Sequence, residues 1–239
     1  MMPRTADVII IGGGVMGVSS ERCLTLDDLY RDLSACRKCA EAGSFIGSLP
    51  IFSGHAGAVF MTVGQAPGRH EAEVTHLPFS GPAGRRLFRW LAQAGFDEDH
   101  FRATQAMTAI TKCYPGPHPA GRGDRVASRV EQALCASWLE QELATVNPRV
   151  VIPIGVLAIG WFLGEGRSFA TLRMTVSPRM TSSLRMTEVI GERFERDGRI
   201  LLPLPHPSGA SQWFNTPEHQ ARLNRALALL ADLRHQFLG

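Results

Sequence analysis

Apolar and amphipathic stretches alternate along most of the chain. Short apolar runs predict buried strands at 58–63, 103–110, 150–154 and 199–204. Segments with apolar residues at helical spacing, or with caps at their ends, predict helices at 24–35, 82–94, 126–146, 155–163 and 217–237. Thr25 is the expected cap of the first helix, and Thr216 or Asn215 that of the last. Because strands and helices follow one another in turn, right-handed crossovers between parallel strands are expected. We therefore expect an α/β fold with three layers, α/β/α, around a central, mainly parallel four-stranded sheet.

Composition adds few constraints. Hydrophobic residues make up 44% of the chain, charged residues 20%, and the net charge is +3, so charge alone does not indicate a nucleic-acid binder. No apolar run reaches membrane-spanning length and no signal peptide is visible. We therefore expect a cytoplasmic protein that does not contact a membrane. A monomer is also expected.

Two segments fall outside the alternating pattern. Residues 12–17, GGGVMG, follow a strand-like run and match a dinucleotide-binding fingerprint, which resembles the start of a flavin-dependent oxidoreductase. The second strand and acidic residue of that unit are missing, so residues 1–22 are interpreted as a leader without a bound nucleotide. Residues 165–187 repeat Arg-Met-Thr every six positions, which fits no known repeat and predicts a disordered insertion in a domain spanning 23–239.

Two predicted strands end in segments that carry chemistry. The first ends at residues 64–68, GQAPG, and a polar loop then leads to residues 78–84, PFSGPAG. The last ends at residues 205–211, PHPSGAS. Ligands of open α/β sheets collect at such strand ends, glycines allow close approach, and Phe79 offers a stacking face. The sequence therefore predicts a ligand site at these loops.

The chain contains five cysteines, and an odd count favours metal or cluster ligation over a disulfide framework. Cys36 and Cys39 form a C-x-x-C pair, which by itself suits a redox motif, half a zinc site or half an iron–sulfur site. Cys113 and Cys135 lie far along the chain. Four thiolates suit structural zinc as well as a cluster, and Cys23 is expected to be free.

In this order the motifs resemble the uracil-DNA glycosylase superfamily, and in particular its families four and five. The likeness covers about residues 24–164 and 188–238. Gly64, Glu71 and the 78–84 segment match the family's pattern. Gln65 stands where the pattern has Glu, and Ala109 stands where family four has Asn. These two departures bear on selectivity for uracil.

The resemblance implies a base-excision enzyme that flips a damaged base out of DNA. It implies catalytic roles for Gln65, Glu71 and His206. Substrate-binding, DNA-binding and cluster-binding roles follow for three further sets: Gly64, Ala66, Pro67, Gly68, Phe79 and Ala109; Ser208, Gly209 and Ser211; and Cys36, Cys39, Cys113 and Cys135. The expected partner is DNA that contains uracil or another deaminated base. The expected cofactor is a 4Fe–4S cluster that braces the loops, with structural zinc as the alternative.

Two other functions remain open at this point. One is a catalytically weakened DNA-binding relic of the same family, since Gln65 cannot remove a proton at neutral pH. The other is a flavin-linked oxidoreductase that uses the 12–17 loop.

Overall fold

The computed structural model describes residues 25–121, 123–164, 186–208 and 212–239. The leader at 1–22 and nearly all of the repeat at 165–187 lie outside these ranges, so the predictions made for them remain predictions. Gly209 and Ser211, two of the predicted DNA contacts, also lie outside the described residues.

A single sheet organises the described residues. Its strands are β1 (Phe60–Gly64), β2 (Ala106–Ala109), β3 (Val150–Pro153), β4 (Phe194–Arg196) and β5 (Arg199–Leu201). Their order across the sheet is β2-β1-β3-β5-β4, with β4 antiparallel to β5 and all other pairs parallel. The α/β class and the mainly parallel sheet are thus confirmed, whereas the expected count of four strands is wrong.

The fifth strand, β4, forms a hairpin with β5. Asp197 and Gly198 turn the chain with φ of 50° and 73°, and two positive φ angles are typical of the tight turn that Asp-Gly favours. This Asp-Gly pair was the available sequence signal. It was missed because β4 has only three residues.

The helices are α1 (Leu26–Ser34), α2 (Lys38–Glu41), α3 (Pro82–Gln93), α4 (Glu98–Thr104), α5 (Arg129–Val146), α6 (Gly155–Leu163), α7 (Met186–Val189) and α8 (Pro217–Leu238). Capping side chains fix several starts, as expected from the sequence. Thr25 caps α1 and Thr216 caps α8, each accepting a backbone N–H with its hydroxyl. At α5, Ser128 and Glu131 form a reciprocal capping box.

Two local predictions need correction. The predicted strand at 103–110 begins as helix α4, which Asp97 caps by accepting the N–H of His100, and becomes strand only at Ala106. The predicted polar loop after Gly68 contains a π-helical turn, Glu71–Thr75. At α4 a single capping side chain starts the helical segment. In both places the segment is too short for periodicity over a longer window to detect.

The core lies on both faces of the sheet. Every residue of β1, β2 and β3 is buried, which requires a layer of structure on each side, as in a three-layer α/β/α fold. None of the helices in the described ranges is long and apolar enough to cross a membrane.

Candidate active site and cysteine cavity

The carboxyl ends of the parallel strands bring the predicted site segments to one edge of the sheet. The 64–68 turn follows β1, and Ala109 at the end of β2 pairs in register with Gly64. Gly155 follows β3, and its N–H donates to Leu204 O in the segment that leads to His206. Residues far apart in the sequence therefore meet at the position where α/β proteins bind ligands.

The 64–68 turn presents backbone donors. The carbonyls of Gly64 and Gln65 accept the N–H groups of Ile110 and Thr111, at 2.9 and 3.2 Å, which ties the turn to the end of β2. The N–H groups of Ala66 and Gly68 have no hydrogen-bond partner within the described ranges. The side chain of Gln65, half-buried, likewise has none there. Pro67 is buried and stiffens the turn.

Phe79 lies against the end of β1 in an unusual backbone conformation. Its φ is 51°, in the left-handed region. A Cβ at Gly64 would lie 2.8 Å from the Phe79 ring, and a Cβ at Gly84 would lie 1.7 Å from the Phe79 carbonyl oxygen. These two glycines make room for the ring and the carbonyl respectively, and so determine where the aromatic face lies.

Glu71 holds the loop that carries Phe79. Its side chain is buried, and Oε1 accepts the N–H groups of Gly81 and Ser80 at 2.9 and 3.2 Å. Oε2 lies beside Gly68, where a Cβ would approach to 2.9 Å. The carboxylate thus connects the 64–68 turn with the loop after Phe79.

Asp124, which the sequence did not single out, is a second carboxylate at this turn. Its Oδ2 would lie 3.2 Å from a Cβ at Gly68, and its Oδ1 accepts the Tyr114 hydroxyl at 2.8 Å. Both carboxylates beside the turn therefore already have partners within the protein.

His206 is held as a neutral side chain with a defined tautomer. Burial lowers the pKa of its imidazole. Its Nδ1 accepts the Ser208 N–H at 3.2 Å, which leaves the proton of the neutral ring on Nε2. A Cβ at Gly155 would lie 3.1 Å from the His206 side chain, and the φ of Gly155 is 81°. Gly155 is therefore required for the close packing of His206 on the start of α6.

Arg86 joins the two halves of the site. It lies on α3, which begins directly after the Phe79 loop, and its Nη1 donates to Ser208 O at 3.1 Å. This bond connects residues 122 positions apart. No local sequence signal distinguished Arg86 from the neighbouring arginines.

Behind Ala109 lies a buried charged cluster that the sequence did not predict. Lys112 Nζ pairs with Glu142 Oε2 at 2.6 Å, and the side chains are 1% and 0% exposed. The same ammonium group donates to Thr108 Oγ1 and to Ala109 O at 2.8 and 2.6 Å. It thereby fixes the end of β2 and the segment that carries Cys113.

The four predicted ligand cysteines line one cavity. Its volume is about 350 Å³, and α1, α2, α5 and the segments 46–50 and 112–113 surround it. Trp138 Nε1 donates to Cys36 Sγ at 3.2 Å, and the Lys112 N–H donates to Cys135 Sγ at 3.3 Å. Elsewhere in the cavity, Cys39 Sγ lies 4.0 Å from Glu131 O.

Burial raises the pKa of thiols in this cavity. Desolvation, followed by the charges of neighbouring cysteines, raises the pKa of Cys39 to about 11 and that of Cys113 to about 12. In the described part of the chain, no three His, Cys, Asp or Glu side chains converge closely enough to hold a single metal ion. The four thiols share a cavity without meeting at one point.

Together, the parallel sheet and the loops at its carboxyl edge define an α/β protein with a candidate ligand site at the strand ends. The model of the uracil DNA glycosylase superfamily matches residues 52–228, and the chain belongs to that superfamily. The sequence-based resemblance is confirmed.

Several curated relatives that the chain matches carry names from the same family. A type-4 uracil-DNA glycosylase of Archaeoglobus fulgidus is 33% identical over 134 residues, which are 56% of this chain and 61% of the relative. A type-4 enzyme of Thermotoga maritima is 28% identical over 116 residues, 48% of this chain and 54% of the relative. A type-5 uracil-DNA glycosylase of Pyrobaculum aerophilum is 31% identical over 151 residues, 59% of this chain and 63% of the relative. The matches span between 54% and 63% of the length of these relatives.

Proposed function

We propose that this chain is a DNA glycosylase that hydrolyses the N-glycosidic bond of uracil, or of a related deaminated base, flipped out of DNA. The observation that carries the proposal is the pairing of two features at one edge of the sheet. One is the Phe79 ring, which Gly64 and Gly84 position. The other is a neutral His206 whose Nε2 carries the proton.

Each feature matches one requirement of base excision. The base must leave the stack, because its glycosidic bond is inaccessible in the duplex. Phe79 then stacks on the flipped base. The N–H groups of Ala66 and Gly68, which have no partner in the described part of the chain, bind its carbonyl oxygens.

His206 acts on the departing base. Cleavage leaves negative charge on the base and positive charge on the sugar, and the His206 Nε2–H donates to the base oxygen where that charge grows. A neutral imidazole suits this role, because it donates a hydrogen bond to the anion and keeps the Nε2 proton itself. The side chain of Gln65 has no partner within the described ranges. It orients the water molecule that attacks the sugar.

Glu71 contributes by position more than by proton transfer. Its Oε1 already accepts two backbone N–H groups, so the carboxylate holds the Phe79 loop in place and adds negative charge close to the turn. Ala109, small and buried at the end of β2, leaves room beside Gly64 for the base. Ser208, whose carbonyl Arg86 already holds, lies where the DNA backbone would pass.

The cysteine cavity suits a 4Fe–4S cluster, and structural zinc is the alternative. All the donors are sulfur, two already accept N–H groups, and their buried thiolates repel one another unless a cationic group lies between them. Cys36, Cys39, Cys113 and Cys135 would hold the cluster, which when bound supplies a brace between α2, α5 and the end of β2.

An oligonucleotide panel tests the proposal. Purified protein is incubated with DNA that contains uracil, hypoxanthine or xanthine, single-stranded and paired, and abasic sites are detected by alkaline cleavage. We expect excision of at least one of these bases and a rate about 10²–10³-fold lower in His206→Ala. DNA binding without excision of any base would instead identify the relic. A flavin spectrum lost in Gly14→Asp would favour the oxidoreductase. Iron, sulfide and zinc analysis of the same sample decides the cofactor.

A further inference from the structure

Arg102, on α4, holds the backbone of the Phe79 loop with both ends of its guanidinium group. Nη1 donates to Pro78 O at 2.9 Å, and Nη2 donates to Phe79 O at 2.8 Å. Two consecutive carbonyls thus point at one side chain. The φ of 51° at Phe79 belongs to this turn of the backbone, which a non-glycine residue adopts only when its surroundings require it.

The guanidinium group is itself fixed by its surroundings. Its Nε donates to Glu98 Oε1 at 2.9 Å, one turn earlier on the same helix. Its carbon lies 4.3 Å from the centre of the Phe88 ring on α3. The side chain is only 22% exposed. A lysine could not reproduce this arrangement, because an ammonium group lacks the planar fork that meets two acceptors at once.

Three supports therefore act on one residue. Arg102 holds the Phe79 carbonyl, Gly84 leaves space for that carbonyl, and Gly64 leaves space for the ring. Without the guanidinium group, both carbonyls lose their partner and the backbone relaxes toward an ordinary negative φ. The ring would then leave the end of β1.

We infer that Arg102 is a positioning residue for base excision, acting through Phe79 to hold the stacking face at the depth a flipped base requires. The inference rests on the proposed function, because it needs a base to stack. Arg102 itself does not touch the substrate. Its effect should therefore appear in the chemical step and depend on Phe79.

A double-mutant cycle tests this dependence. Arg102→Lys and Phe79→Leu are made singly and together, and single-turnover excision rates and DNA affinities are measured. We expect Arg102→Lys to slow excision by up to about 100-fold, as misplacement of a reacting group does, with little change in affinity. In the Phe79→Leu background it should cause almost no further loss. The inference would be overturned if the losses of the two single variants multiplied in the double variant. It would also be overturned if the excision rate of Arg102→Lys were unchanged.

Arg222→Lys is the matched control. Arg222 also pairs with a glutamate one turn earlier, Glu218 at 3.4 Å, and among the described residues it donates to no backbone carbonyl. We expect its excision rate to equal that of the unmodified protein. A comparable loss in this variant would attribute the Arg102 effect to general helix stability.

Hydrogen exchange gives a readout that does not need activity. The N–H groups of Ser80 and Gly81 are bonded to Glu71, so their exchange reports whether the loop keeps its shape. Arg102→Lys should speed exchange across residues 77–84 while leaving β3 protected. If the unmodified protein excises no base, the proposed function fails and this measurement alone decides the loop's dependence on Arg102. Unchanged exchange would refute that dependence.

Discussion

At the scale of single residues, His206 can donate from only one nitrogen. The Ser208 N–H occupies Nδ1, and burial keeps the ring uncharged by lowering its pKa. Both conditions come from the segment 206–208 and from the contact with Gly155. The proposed hydrogen bond to the departing base thus depends on a backbone turn and a glycine as much as on the imidazole.

The pH dependence of excision follows from this arrangement. Because burial places the pKa of His206 below its ordinary 6.5, the neutral ring persists under mildly acidic conditions. We expect the single-turnover rate to be constant above that pKa and to fall as the pH decreases through it. His206→Ala should lower the rate by about 10²–10³-fold. His206→Gln keeps an N–H donor but does not titrate. It should therefore keep part of the rate, and its rate should no longer fall at acid pH.

Stability must be followed in the same pH series. A histidine whose folded pKa is lowered stabilises the fold above its unfolded pKa and loses that contribution as the pH falls through the folded value. Melting temperatures should therefore decrease slightly on the acid side, and less so in His206→Gln. If the excision rate of His206→Gln still falls at acid pH, the titration belongs to another group.

At the scale of elements, the sequence predicted the helices of nine or more residues, whether or not a side chain caps their start. Helix α6 begins and ends at the predicted residues, and Thr25 and Thr216 cap α1 and α8 as expected. The short elements were not predicted, because α4 and β4 depend on a single cap and a two-residue turn. A periodicity window averages over such signals.

The candidate site was predictable only in part for a different reason. Phe79 and His206 belong to local motifs that can be recognised in the sequence. Arg86, Arg102 and Lys112 act through partners far along the chain, at Ser208, Phe79 and Glu142. Nothing in the local sequence shows which distant partner each of these cations meets.

Two glycines in different helices provide a matched test of the start of α3. Gly84→Ala places a Cβ 1.7 Å from the Phe79 carbonyl oxygen, so the loop must move. We expect slower excision and a loss of about 1–3 kcal/mol in the free energy of unfolding. Gly160→Ala in α6 meets no atom within 4 Å and should stabilise the fold by about 0.4–1 kcal/mol. Urea unfolding and excision rates are measured for both variants. An unchanged stability and excision rate in Gly84→Ala would contradict the proposed placement of Phe79.

The outer face of α3 carries Arg85 and Arg89, one turn apart and exposed, on a helix without acidic residues. Neither has an ion-pair partner among the described residues. Since Arg86 ties the same helix to Ser208, we expect both to contact DNA phosphates. Arg85→Gln combined with Arg89→Gln should reduce the slope of log affinity against log salt by about 1.4–1.8.

Filter binding of DNA with an uncleavable abasic analogue, over a series of KCl concentrations, measures that slope. Arg31→Gln is the control, because Arg31 on α1 is exposed but paired with Asp28 at 2.6 Å. An equal change in this control would indicate a general charge effect. An unchanged slope in the double variant would exclude α3 from the DNA contact.

At the scale of the whole molecule, β2 and α5 link the candidate active site to the cysteine cavity. Ala109 pairs with Gly64 at the candidate active site, and Cys113 and Cys135 line the cysteine cavity. The Lys112–Glu142 pair joins the segment after β2 to α5. The ammonium group reaches Thr108 and Ala109 on the strand, while Glu142 belongs to α5. Disturbance of this pair should therefore affect the shape of both regions.

Removal of one partner leaves the other charge buried without compensation, which costs about 3–5 kcal/mol. We expect Lys112→Met or Glu142→Leu alone to lower the free energy of unfolding by about that amount, measured by urea titration of samples matched in metal content. The double variant should recover most of the loss, since two apolar side chains of similar size can replace a buried ion pair with little cost. Recovery of stability without recovery of excision would show that the pair also positions the end of β2, through the bond from Lys112 Nζ to Ala109 O. Equal losses in the single and double variants would instead mean that the contacts with Thr108 and Ala109, and not the pairing of charges, hold this part of the fold.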